Sequence, residues 1–98
     1  MISIEDCIAF SGLTRDEVFA IAEHEHSGFV AAAVLGRYLI SDKAGADAIR
    51  AMIVNDIRAA RQAGDDCHAH ELLLVLRQFL HDFPHARMNV AGVAASTR

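Results

Sequence analysis

Hydrophobic residues recur every three to four positions through most of this chain, which is the spacing of one face of an α-helix. The pattern is interrupted at Gly12, Ser27, Ser41, Gly64 and Pro84, so it predicts five helices between these breaks. Apolar and polar residues never alternate for more than a few positions, which gives strands little support. We therefore predict an all-α fold, a compact bundle of about five short helices.

The first two predicted helices meet at Gly12, and the second begins with a capping box. The Thr14 hydroxyl can accept from the Glu17 amide while the Glu17 carboxylate reaches back, and Leu13 with Val18 forms a hydrophobic staple. Helix two then runs to about Glu25 and is expected to bury a side that includes Phe19. The pair resembles a helix-turn-helix over about residues 3–26.

DNA binding would be the function implied by that resemblance, but the charges disfavour it. A recognition helix directs Arg, Lys, Asn or Gln to base edges, whereas helix two carries Arg15 followed by four acidic residues. The whole chain has one Lys and eight scattered Arg, with a net charge of −4. Phosphates would be repelled, so nucleic acid is an unfavoured partner.

Helix three, Gly28 to Ile40, has Arg37 as its only charged residue, which predicts a helix that is buried all round. Small residues at Gly28, Ala32 and Gly36 form a four-residue repeat that lets a neighbouring helix approach closely. Its apolar stretch is roughly 18 Å long, against about 30 Å for the hydrocarbon core of a membrane, so we expect no membrane span.

Helices four and five are predicted to form a long antiparallel hairpin through the turn between Ala63 and Asp66. Helix four starts after a cap at Ser41 or Asp42, and helix five after a cap at Asp65 or Asp66. The side chains that helix four is expected to bury are Ile49, Met52, Ile53, Ile57 and Ala60; those of helix five are Leu72, Leu73, Leu76, Phe79, Leu80 and Phe83. We predict one domain over residues 1–83 and a tail over residues 84–98 that is mobile or docks on a partner.

Composition adds an expectation about assembly. Hydrophobic residues make up 53% of only 98 positions, and so small a chain leaves part of its apolar surface exposed as a monomer. Self-association, most simply as a homodimer, is therefore predicted. The N-terminus lacks the basic and apolar stretches of a secretory signal, and two cysteines far apart suggest reduced thiols, so a cytoplasmic protein is expected.

The six histidines fall in three clusters and raise the alternative of a metal-binding protein. Glu23 and His26 form a Glu-x-x-His pair on helix two, and His68 and His70 begin helix five. Imidazole and carboxylate are the ligands that Zn, Fe or Mn would use. A solvated helix end is the simpler interpretation, and under it no cofactor is needed.

The principal hypothesis concerns a second stripe on helix five, formed by His70, Leu74, Arg77 and His81. These residues share one side of the helix, opposite the Leu76 core side, and are typical of a contact between subunits. No motif specifies a nucleophile, a phosphate loop or a dinucleotide site. We therefore predict an oligomeric interaction or structural module and not an enzyme, with another protein as a further possible partner.

Overall fold

A computed structural model describes residues 3–86 as a bundle of five α-helices and one additional helical turn at residues 84–86. The helices are α1 (Ile4–Ser11), α2 (Arg15–Glu25), α3 (Phe29–Leu39), α4 (Lys43–Gln62) and α5 (Asp66–Asp82). The described part of the chain contains no strand, so the predicted all-α bundle is confirmed. No helix in it is long and apolar enough to cross a membrane.

Side-chain caps mark the starts of α1, α2, α4 and α5, whereas α3 begins after Gly28 without one. Thr14 Oγ1 accepts from the Glu17 amide at 3.2 Å, and the Thr14 amide donates to Glu17 Oε1 at 2.9 Å, so the predicted capping box is present. Asp42 caps α4 by accepting from the Gly45 amide at 2.8 Å, and Asp65 caps α5. Each of these bonds satisfies an amide that the first helical turn leaves without a partner.

The small side of α3 packs against α1 and α2 at Ala32 and Gly36, as predicted, but Gly28, the third residue of the predicted repeat, is exposed. Ala32 and Gly36 are buried, and a Cβ added at Gly36 would lie 2.6 Å from Leu13 Cδ1. The prediction that α3 is buried all round is wrong, because Val30, Val34 and Tyr38 are exposed. In the described part of the chain only α1, α2 and α4 contact α3, and they leave the side that carries these three residues uncovered.

Most of the core lies where α4 and α5 form the predicted hairpin and meet the preceding helices. Ile49 and Ile53 of α4 and Phe79 of α5 are almost completely buried. Two of the predicted core residues are exposed instead: Phe19 and Leu73 are each 44% exposed. Both lie on a part of the apolar arc of their helix that the neighbouring helices leave uncovered.

The packed chain continues three residues past the predicted domain end at Phe83. Ala86 is completely buried, and the Phe83 ring lies 4.8 Å from that of Phe79, centroid to centroid. The rest of the predicted tail, residues 87–98, lies outside the described residues.

Candidate functional site

A groove with a volume of about 610 Å³ lies between α2 and α5 on the surface. Its apolar walls include Phe19 and Leu74, which are 44% and 48% exposed. Polar side chains surround this apolar strip. The full lining is Thr14, Asp16, Phe19, Ala20, Glu23, His68, Glu71, Leu72, Leu74, Val75 and Gln78.

His68 bridges the two helices along this groove. Its Nε2 lies 2.8 Å and 2.9 Å from the two carboxylate oxygens of Glu23 on α2, and its Nδ1 lies 3.1 Å from Glu71 Oε1. Hydrogen bonds to Glu23 first, and to Glu71 second, raise the pKa of His68 to about 8. The imidazolium is therefore the main form at neutral pH, donating from both ring nitrogens.

This bridge predicts a specific dependence of stability on pH. Because the pKa of His68 is raised in the folded state from 6.5 to about 8, its stabilisation is complete below about pH 6.5 and is lost as the pH rises through 8. The side chains are partly exposed, so we expect His68→Gln to cost less than about 1 kcal/mol at pH 6. Urea unfolding of wild type and variant should show this difference disappearing by about pH 9.

If wild type and His68→Gln differed in free energy of unfolding by the same amount at pH 6 and pH 9, the result would contradict the ion pair between His68 and Glu23. His81→Gln is the matched control, because the His81 side chain is 82% exposed and its one ion-pair partner is the adjacent Asp82, at 3.5 Å. That variant should leave the free energy of unfolding nearly unchanged at both pH values.

Glu17 is a buried carboxyl group next to the groove, where the start of α2 meets the end of α5. Its Oε2 is buried and has no hydrogen-bond donor, while Gln78 donates to the neighbouring Asp82 at 2.9 Å. Burial raises the pKa of Glu17, the amide of Thr14 opposes this, and the nearby Asp82 carboxylate raises it further. A proton on Glu17 Oε2 would give this buried oxygen a hydrogen bond that it can donate to the Asp82 carboxylate. The sequence indicated only the capping role of this residue.

The four candidate metal ligands do not converge. Glu23 and His68 contact each other, but His26 ends α2 in a left-handed conformation with φ 53°, and His70 lines a different groove with Ile57. Both ring nitrogens of His68 already face carboxylates. Within residues 3–86 no group of three or more His, Cys, Asp or Glu side chains could hold a metal ion.

The predicted contact stripe on α5 is exposed along its length. Leu74, Arg77 and His81 line a second groove, which adjoins the one between α2 and α5 at Leu74. His70 lines a third groove, between α4 and α5. Leu74 is the one large apolar side chain among the four. Coverage of this stripe by a second copy stays a prediction.

A second surface, missed by the sequence reasoning, is the outer side of α3. Val30, Val34 and Tyr38 are 58%, 52% and 73% exposed, and Phe10 of α1 is 52% exposed. Arg37 joins Phe10 to this row, because its guanidinium lies 5.6 Å from the Phe10 ring centroid. We call Phe10, Val30, Val34 and Tyr38 the α3 face. The four-residue spacing of Val30, Val34 and Tyr38 shows that they share one side of α3, but it does not show that this side is exposed.

The groove and the α3 face differ in chemistry. The groove combines an apolar strip with three carboxylates, whereas the α3 face is apolar with one bordering guanidinium.

Comparisons of the chain with protein-family models, with curated proteins and with solved structures find no match. Exposed aromatic and aliphatic side chains in contiguous rows are typical of surfaces that contact other proteins.

Proposed function

We propose that this chain is a self-associating protein-interaction module whose copies meet through the α3 face. The observation that carries the proposal is the exposure of three large apolar side chains along one side of α3, with the exposed Phe10 linked to them through Arg37. Covering one aromatic side chain completely removes about 150–250 Å² from water, and each Å² contributes about 25 cal/mol. Phe10 and Tyr38 are more than half exposed, so a covering partner would gain from both.

Charge favours a second copy as that partner. The chain carries a net charge of −4, so most pairs of its surfaces repel when two copies meet. The α3 face is an exception, because Arg37 is the only charged residue between Ser27 and Ser41. Two copies can therefore bury this face without bringing carboxylates together.

The spacing on α3 suits a two-fold contact. Val34 is the middle residue of Phe29–Leu39, with Val30 and Tyr38 four positions to either side. If two α3 helices cross in antiparallel orientation at Val34, then Val34 meets its own copy and each Val30 meets a Tyr38. Rows at four-residue spacing interdigitate at an angle of about 50°, and a two-fold axis makes the contact self-complementary.

Cross-linking tests this geometry. In a Cys67→Ser background, Val34→Cys places one thiol from each copy near the proposed axis, within the ~4.4–6.8 Å between Cα atoms that a disulfide requires. Mild oxidation should link most of the protein into covalent dimers on a non-reducing gel. The matched control is Asn55→Cys in the same background, which places the new thiol on the exposed side of α4. Equal, low yields from both variants would contradict a two-fold contact at Val34.

The thiols support a proposal about location. Both cysteines are free, Cys7 buried and Cys67 exposed at the start of α5. An exposed free thiol is maintained most easily in a reducing compartment, so we propose that the protein is cytoplasmic.

A further inference from the structure

We propose that the groove between α2 and α5 binds an amphipathic helix of a partner protein, one that carries Lys or Arg beside its apolar side. This inference concerns a surface distinct from the α3 face, and a partner that is not a second copy. Self-association and groove binding can therefore succeed or fail separately.

The apolar strip of the groove fits a helix rather than an extended peptide. Leu72 is buried and Val75 is partly buried, while Phe19 and Leu74 are half exposed on opposite walls. The walls are two helices, so the strip presents no free strand edge for pairing. An amphipathic helix fills such a groove with residues spaced three and four apart.

Charge complementarity selects a cationic partner. The lining holds the carboxylates of Asp16, Glu23 and Glu71, and among the described residues that form it there is no Lys or Arg. With His68 protonated, the formal charge of these four groups is −3 plus 1, or −2. A second copy would bring more acidic charge to this groove and be repelled, whereas Lys or Arg beside an apolar strip would be attracted.

Two bases lie just outside the lining, Arg15 and Arg77, and neither forms an ion pair with the carboxylates of the groove. Arg15 lies with its guanidinium 5.8 Å from the Phe19 ring centroid, but it is paired with Glu5 of α1 at 3.2 Å. The carboxylates that hold His68 remain accessible, because the Glu23 and Glu71 side chains are 44% and 69% exposed. Each can accept a hydrogen bond from an incoming ammonium or guanidinium without releasing the imidazolium.

Two synthetic peptides test the proposal. Both are fluorescein-labelled helices of about 16 residues with Leu at positions spaced three and four apart; one carries Lys at every flanking position and the other Glu. Fluorescence anisotropy against the full-length protein should show the Lys peptide binding at least about tenfold more tightly, with this advantage falling as salt rises from about 0.1 M to 0.5 M. Equal affinity for the two peptides would overturn the proposal.

Matched protein variants locate the binding. Glu71→Lys and Glu25→Lys change the net charge equally, but Glu71 lines the groove and Glu25, on the exposed end of α2, does not. We expect Glu71→Lys to weaken the Lys peptide about tenfold or more and Glu25→Lys to weaken it less than about twofold. Equal losses would show attraction to the overall charge alone and overturn the proposal. Val34→Glu should leave peptide binding intact, and loss of binding in that variant would place the peptide on the α3 face instead.

Discussion

Gly45→Ala is expected to destabilise the domain by at least about 3 kcal/mol, which is a large part of the roughly 5–15 kcal/mol that stabilises a typical domain. Gly45 is buried in the first turn of α4, directly against the backbone of Leu39 at the end of α3. A Cβ there would lie 2.5 Å from the Leu39 carbonyl carbon and 2.7 Å from its Cα, and closer still to its carbonyl oxygen. Backbone atoms cannot rotate away as a side chain can, so α3 and α4 would have to separate. Urea unfolding followed by circular dichroism measures the loss.

Gly28→Ala is the matched control. Gly28 caps the start of α3, and a Cβ at this position meets no heavy atom within 4 Å. We expect this variant to lose less than about 1 kcal/mol, the usual scale of a change at a helix N-cap. Similar losses in the two variants would contradict the close approach of α4 to the end of α3.

If copies of the chain meet through the α3 face as proposed, Val34→Glu is expected to give a monomer that keeps its helical content. Val34 is 52% exposed, so the substitution removes little from the core of one copy. In the proposed dimer, however, it places two carboxylates against each other at the centre of an apolar contact, and such a juxtaposition costs several kcal/mol. Light scattering on a sizing column measures the molar mass, and circular dichroism measures the helical content.

Leu74→Asp separates the α3 face from the stripe on α5. From the sequence alone we predict a subunit contact at His70, Leu74, Arg77 and His81. That prediction implies that Leu74→Asp dissociates the protein. The exposed apolar residues of α3 lead us to expect instead that Leu74→Asp stays dimeric. If Leu74→Asp were monomeric and Val34→Glu dimeric, the subunit contact would lie on α5 and the α3 face would be excluded.

The helix boundaries were predictable because the residues that set them act locally. Thr14 and Glu17 satisfy each other's backbone amides within one turn, and Asp42 and Asp65 cap α4 and α5 in the same way. Such bonds depend on residues three positions apart, so the sequence alone is enough to locate them. The all-α fold follows from these starts and from the apolar stripes between them.

The exposed side of α3 was not predictable from its own residues. Apolar residues lie on every side of this helix, so no polar stripe marks which side faces solvent. That choice depends on how many other helices remain to cover it. Gly36 indicates the side that packs closely, because a larger side chain would meet Leu13 and Ile21.

The candidate site was partly predictable. Glu23 and His68 were both among the four candidate metal ligands, but their direct contact joins positions 45 residues apart and forms only when α2 packs against α5. The geometry is an ion pair instead of a shared metal site. Phe19 was assigned to the core because helical spacing shows which residues share a side of the helix. It does not show how much of that side the neighbouring helices cover.

The molar mass of the wild-type protein in solution tests the central claim most directly. Sedimentation equilibrium over a range of protein concentrations should give twice 10.6 kDa at the higher concentrations, with Val34→Glu remaining at 10.6 kDa throughout. A wild-type mass of 10.6 kDa at every concentration would contradict the proposal that copies of this chain meet through the α3 face.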